Sequence, residues 1–136
     1  MKRLGWLLVA ALVAAGCEKK AEPTGVVLGV TPGPRSQAQL QNDLREVGII
    51  HLLYLDMNAK KPATALADIT PFAKDYPQGL EGLRNGTYVM VWNRSMPADR
   101  LKVLAYEKDA PQRGGWVVFV DGTVKKVSKE EFEKVK

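Results

Sequence analysis

The segment from residue 116 to residue 127 (WVVFVDGTVKKV) constrains the fold more than any other part of the chain. Five apolar residues with strong strand preference lead into Asp121-Gly122, and a second short run follows. Asp-Gly between two such runs indicates a β-hairpin, because a two-residue type I′ turn needs positive φ at both central positions. This turn would place Phe119 opposite Val124. We therefore predict an antiparallel hairpin in this register.

The two strands of the predicted hairpin differ in polarity. Residues 116–120 are apolar on both faces, which is typical of a strand inside a sheet. The second strand, residues 123–127, carries Lys125 and Lys126, which is typical of an edge strand. The hairpin therefore predicts at least one more strand beside the first.

A long helix is predicted from residue 36 to about residue 58, where no proline interrupts a helical apolar period. Ser36 or Asn42 could begin it, and Asn58 or Pro62 could end it. Beyond Gly48 the apolar residues spread around the helix, so we expect its second half to be buried on several sides. The apolar face consists of Leu40, Leu44, Val47, His51, Tyr54 and Leu55.

His51 is the only histidine of the chain and lies in the middle of this apolar face. A single histidine without a second histidine or cysteine cannot complete a metal site. We interpret it as a hydrogen-bonded core residue or a half-exposed one, and we expect no catalytic residues, no metal and no cofactor.

The remaining segments are shorter. Their pattern predicts a helix at residues 63–75 split at Pro71, a loop at residues 76–79, strands at residues 87–92 and 101–106, and a polar loop at residues 107–115. Ser128 and Glu131 form a capping-box pattern that predicts a last short helix. The expected fold is α+β, with one long helix packed on an antiparallel sheet of three to four strands and a short C-terminal helix.

The first seventeen residues predict export. A basic start is followed by the apolar residues 4–15 and then by small residues directly before Cys17, the only cysteine. Twelve apolar residues are fewer than the ~20 needed to span a membrane, so this segment is typical of a cleaved signal peptide. An ordinary secreted protein with an incidental cysteine is the alternative reading.

Residues 17–36, here called the tether, are rich in polar residues, proline and glycine. The apolar run at residues 26–30 could be a strand added to the domain edge or an apolar part of the tether. The net charge of +5 comes from basic residues scattered among acidic ones, so we expect no nucleic-acid partner.

Three parts of the chain resemble known bacterial families. The segment before Cys17 resembles the lipobox of bacterial lipoproteins, which implies lipidation of Cys17. Residues 42–62 resemble the start of the pilin-like H-X9-DG (prepilin-type processing-associated) family, and Asp121-Gly122 matches the DG of its closing motif. The positions identical to the first family run are Asn42, Leu44, Gly48, Tyr54, Asp56, Asn58, Lys60 and Pro62.

Two features depart from that family. Its motif histidine would fall at Pro111, so any role of that histidine is in doubt here. Pilin-like proteins also keep their long apolar helix, whereas here residues 1–16 should be removed. The residue pattern predicts a signal peptide at 1–16 and a tether at 17–36, and the resemblances imply lipidation of Cys17 and a pilin-like domain at 37–136.

These expectations lead to a non-catalytic protein of the bacterial cell envelope, extracytoplasmic and attached to the membrane through lipid on Cys17. The domain would act as a structural or interaction module, with an envelope protein partner on a sheet edge. One alternative is a minor accessory component of a type II secretion or type IV pilus-like machine. Another is a small extracytoplasmic ligand-binding domain.

Overall fold

The computed structural model of the chain describes residues 33–136. Within them the fold is α+β, with a long helix and a short C-terminal helix on a four-stranded antiparallel sheet, as predicted. The helices are α1 (Gln37–Met57), α2 (Leu66–Ile69), a 3₁₀ helix (Thr70–Lys74), α3 (Pro77–Arg84), α4 (Ala110–Arg113) and α5 (Lys129–Val135). The strands are β1 (Tyr88–Met90), β2 (Val103–Glu107), β3 (Gly115–Phe119) and β4 (Val124–Val127). The order β1-β2-β3-β4 confirms that β3 is an inner strand and β4 an edge strand.

Side-chain caps fix the starts of the first and last helices. At the start of α1 the Ser36 hydroxyl accepts a hydrogen bond from the Gln39 backbone N–H at 3.2 Å, and the Gln39 side chain accepts one from the Ser36 N–H. Ser128 and Glu131 make the same reciprocal pair at α5. Each cap satisfies N–H groups that a helix start leaves without partners, which is why both predicted starts are confirmed.

The sheet is covered on both faces. Helix α1 packs on one face and α5 on the other, and a third apolar cluster lies under α2 and α3. The buried residues of the α1 cluster are Leu40, Leu44, Val47, Tyr88, Leu104, Ala105, Val118 and Val120. Those of the α5 cluster are Val103, Ala110, Val117, Val127 and Phe132. Those of the third cluster are Ile50, Ala63, Ile69 and Leu80. Because all three clusters lie within the compact unit Pro34–Lys136, this unit carries its own core.

The hairpin forms, but its predicted register is wrong. Val124 lies opposite Val118 rather than Phe119. The Gly122 N–H donates to the Phe119 carbonyl at 2.9 Å, and the Phe119 N–H donates to the Thr123 carbonyl at 2.8 Å. This pattern is a three-residue loop closed by a bulge, in which only the glycine needs positive φ. Gly122 has φ 86°.

Helix α3 begins where the sequence predicts a loop, at residues 76–79. Pro77 occupies the first turn of the helix, where its missing N–H costs nothing. Gly79 and Gly82 lie inside α3 because neighbouring atoms leave no room for a side chain: a Cβ on Gly79 would be 2.7 Å from the Asp43 carbonyl oxygen. These glycines allow close packing between elements and do not mark a loop.

The other segments are close to the prediction. Pro71 does divide the region into α2 and the following 3₁₀ helix. Strand β1 lies within its predicted region at residues 87–92 but is shorter, whereas β2 begins two residues later and ends one residue later than the strand predicted at residues 101–106. The predicted polar loop at residues 107–115 contains the short helix α4, which includes Pro111, the position of the missing family histidine.

Candidate functional sites

Cys17, the predicted lipidation site, lies outside the described residues, as do the signal segment and residues 26–30 of the tether. Their assignments therefore stay predictions. Among residues 33–136, no helix is both long and apolar enough to cross a membrane.

The predicted Asp121-Gly122 pair forms the tip of the hairpin and contacts α1. A Cβ on Gly48 would lie 3.2 Å from the Gly122 Cα and 3.0 Å from a methyl group of Val118, so glycine at residue 48 allows a close approach of the helix to the hairpin. Gly48 lies in the segment 42–62 and Gly122 in the Asp121-Gly122 pair, the two parts of the sequence from which a pilin-like domain is predicted. The fold brings these two parts of the sequence into direct contact.

Asp121 acts within the turn. Its Oδ1 accepts a hydrogen bond from the Thr123 N–H at 3.0 Å, and its Oδ2 lies 3.7 Å from Nε of Arg100. Partial burial acts to raise the pKa of Asp121, but the hydrogen bonds from Thr123 and the Arg100 guanidinium lower it overall. The carboxylate therefore holds the turn together and is not prepared for proton transfer at neutral pH.

We expect Gly122→Ala to destabilise the protein by about 1 kcal/mol or more, because a Cβ disfavours positive φ. The nearest side-chain atom would be 3.4 Å away, an ordinary contact, so backbone conformation is the cause. Gly122→Asn should cost less, since asparagine tolerates this region. Urea unfolding of the two variants measures the difference. Equal stability of Gly122→Ala and wild type would contradict the turn geometry.

His51 is buried, with 1% of its surface exposed, and neither ring nitrogen has a hydrogen-bond partner. The predicted core position of His51 is therefore confirmed, but the hydrogen bonds expected for its ring are not found. Burial lowers the pKa of His51 to about 4, because the charged ring would lose its water without gaining a partner. At neutral pH the ring is uncharged and acts as a core side chain.

A buried polar cluster, not anticipated from the sequence, lies where the tether meets the domain. Asp43, on α1, is 3% exposed, yet it forms an ion pair with Arg35 and accepts a hydrogen bond from the Tyr88 hydroxyl at 2.9 Å. The Arg35 guanidinium also lies over the Tyr88 ring, 5.8 Å from its centroid. Arg35 lies two residues before the first residue of α1, so this cluster holds the chain at residue 35 against α1 and β1.

An exposed apolar ridge and an open strand edge lie on the surface of the domain. Ile49, Leu53 and Met57 follow one another at four-residue intervals on α1 and are 37%, 36% and 73% exposed; we call them the α1 ridge. The second half of α1 was expected to be buried on several sides, which is wrong for this ridge. Among the described residues β4 pairs with β3 alone, so its outer side is an open strand edge.

Two shallow clefts lie at the opposite end of the sheet from the hairpin tip and share Glu107, Arg113 and Gly114. The Glu107 side chain has a structural role, because its carboxylate accepts a hydrogen bond from the Trp116 N–H at 2.5 Å. The Gln37 side chain joins α1 to the same region by accepting from Trp116 Nε1 at 2.8 Å. These polar groups hold the end of the sheet together.

Within residues 33–136 no group of three or more His, Cys, Asp or Glu side chains is placed to hold a metal ion. Comparison of the chain with protein-family models, with curated proteins and with solved structures finds no match.

Proposed function

We propose that the protein is a lipid-anchored component of the bacterial cell envelope whose pilin-like domain acts as a non-catalytic interaction module. The observation that carries the proposal is the only cysteine of the chain, Cys17, placed directly after small residues that follow a short apolar segment. A lone cysteine in an exported chain has no intramolecular disulfide partner, and lipidation gives it a role. More than one acyl chain on this residue would make the attachment stable.

The geometry at the start of the domain supports a tethered arrangement. Arg35, at the end of the tether, forms its ion pair with the buried Asp43, so the domain has a firm attachment point for the chain that precedes it. The partner surfaces that the module would use are the open edge of β4 and the α1 ridge. An open strand edge binds a partner by adding a strand, and an apolar ridge binds by burying its side chains.

An accessory role in a secretion or pilus-like machine is the second candidate. It is favoured by the close approach of Gly48 to Gly122, because this approach joins the segment 42–62 and the Asp121-Gly122 pair, both of which resemble the pilin-like family. Loss of co-purification with pseudopilins on charge substitution of the α1 ridge would support this role. Absence of any such association would leave the first candidate.

Metabolic labelling with a radioactive or clickable fatty acid tests the anchor. We expect label on the wild-type protein and none on Cys17→Ser, which keeps the size and polarity of the side chain but cannot be lipidated. Membrane fractionation should show the same difference. Equal labelling of the two proteins would exclude the lipoprotein assignment.

A further inference from the structure

The hairpin end of the domain carries a groove that combines apolar and basic side chains. The connection between β1 and β2 supplies Pro97, Arg100, Leu101 and Lys102, and the last turn of α5 supplies Lys134. The groove has a volume of about 490 Å³. No carboxylate is among its lining residues, so its charge is positive.

The basic side chains of this groove are largely free to bind an anionic ligand. Among the described residues Lys102 and Lys134 form no ion pair, and Arg100 has only Asp121, whose carboxylate oxygen is 3.7 Å from its Nε. All three side chains are exposed. An anionic surface is the electrostatic complement of such a group.

Leu101 lies between two of these cations and is 73% exposed. An apolar side chain that projects from a loop, flanked by Arg100 and Lys102, is suited to insertion between lipid acyl chains while the cations contact headgroup phosphates. A peptide partner would instead need to offer a pocket for Leu101. The projecting leucine and the open groove therefore favour a membrane surface over an acidic peptide.

We propose that this groove binds the surface of an anionic phospholipid membrane, with Leu101 inserted and Arg100, Lys102 and Lys134 on the headgroups. The inference rests on the proposed function, because a lipid on Cys17 would keep the domain close to one membrane. The chain from Cys17 to Arg35 can span about 60 Å when extended, whereas α1 is about 30 Å long, so the groove can reach the bilayer. Weak intrinsic binding is sufficient at such short range.

The test uses the polypeptide from residue 18 to residue 136, which lacks both leader and lipid but contains the whole compact unit Pro34–Lys136. Circular dichroism establishes that each protein is folded. Co-sedimentation should show binding to vesicles of phosphatidylglycerol and phosphatidylcholine and none to pure phosphatidylcholine, and binding should weaken as salt is added. Equal binding to both vesicles, or binding to neither, would overturn the proposal.

Two variants locate the binding surface. Lys102→Glu with Lys134→Glu should weaken binding by about 30-fold or more, since each cation near an anionic surface contributes about fivefold. The control, Lys74→Glu with Lys108→Glu, changes the net charge equally on exposed residues outside the groove and should retain much more binding. Leu101→Ser should cost about tenfold. Equal loss in both double variants would show attraction by net charge alone and contradict the proposal.

A fluorescent peptide of alternating glutamate and leucine tests the other type of ligand. Binding of this peptide through Lys102 and Lys134 without vesicle binding would replace the membrane with an acidic protein partner. The vesicle test is independent of fatty-acid labelling at Cys17. Failure of labelling alone would remove the anchor, and failure of vesicle binding alone would remove only the groove assignment.

Discussion

The free energy of unfolding should fall by about 3 kcal/mol between pH 6.5 and pH 4 through His51 alone. The ordinary pKa of a histidine, which applies to the unfolded chain, is 6.5, and the pKa of His51 in the folded protein is about 4. Well above pH 6.5 the ring is neutral in both states and contributes no pH dependence. As the pH falls, the unfolded chain takes up a proton that the buried ring cannot accept until about pH 4, so the unfolded state is favoured.

His51→Leu isolates this effect. Leucine fills a similar volume and removes two buried nitrogens that have no hydrogen-bond partner, so we expect a gain of about 1 kcal/mol or more at pH 7. Acid unfolding also reflects carboxyl groups whose pKa is lowered in the fold, Asp68, Asp121, Glu130 and Glu131. Both proteins share these groups, so the difference between their urea-unfolding curves from pH 7 to pH 4 belongs to His51. Parallel pH dependence in the two proteins would contradict the prediction.

The parts of the fold that the sequence predicts correctly are those set by local signals. Ser36 and Ser128 each begin a helix because the capping groups lie three residues away, within reach before any tertiary contact forms. The strand positions of the hairpin follow from Asp121-Gly122 in the same way. The register of the hairpin does not, because Asp-Gly fits both a two-residue turn and the observed three-residue loop. Burial of Val120 against α1 accompanies the longer loop.

Long-range packing accounts for what the sequence does not predict. In the sequence, Gly79 and Gly82 suggest a loop. Only the positions of the Asp43 carbonyl and the Tyr88 ring show that close packing against α3 requires glycine at both positions. Asp43 lies on the apolar face of α1, so the sequence does show one charged residue among apolar ones. Its hydrogen-bond partner Tyr88 is 45 residues away, so the sequence does not identify the cluster. The exposure of the α1 ridge likewise depends on which elements pack against α1, which its apolar residues alone do not reveal.

Asp43→Ala should destabilise the domain by about 3 kcal/mol or more, because it leaves the Arg35 guanidinium and the Tyr88 hydroxyl without their common partner in a mostly buried setting. The side chains of Arg35 and Asp43 are 17% and 5% exposed, so water replaces little of what is lost. Urea unfolding at pH 7 measures the change. A loss below about 0.5 kcal/mol, the usual range for surface substitutions, would contradict a structural role for the cluster.

The contributions of the two partners separate in a variant series. Tyr88→Phe removes only the hydroxyl and should cost about 1 kcal/mol, the usual value of one hydrogen bond. Arg35→Met keeps much of the side-chain volume but leaves the buried carboxylate without its cation, so it should cost more than Tyr88→Phe. In the double variant of Arg35→Met and Asp43→Ala, the total should be clearly smaller than the sum, since the second substitution removes a group already without its partner. Strict additivity would show that Arg35 and Asp43 do not interact, and Arg35 would then have no fixed attachment to α1.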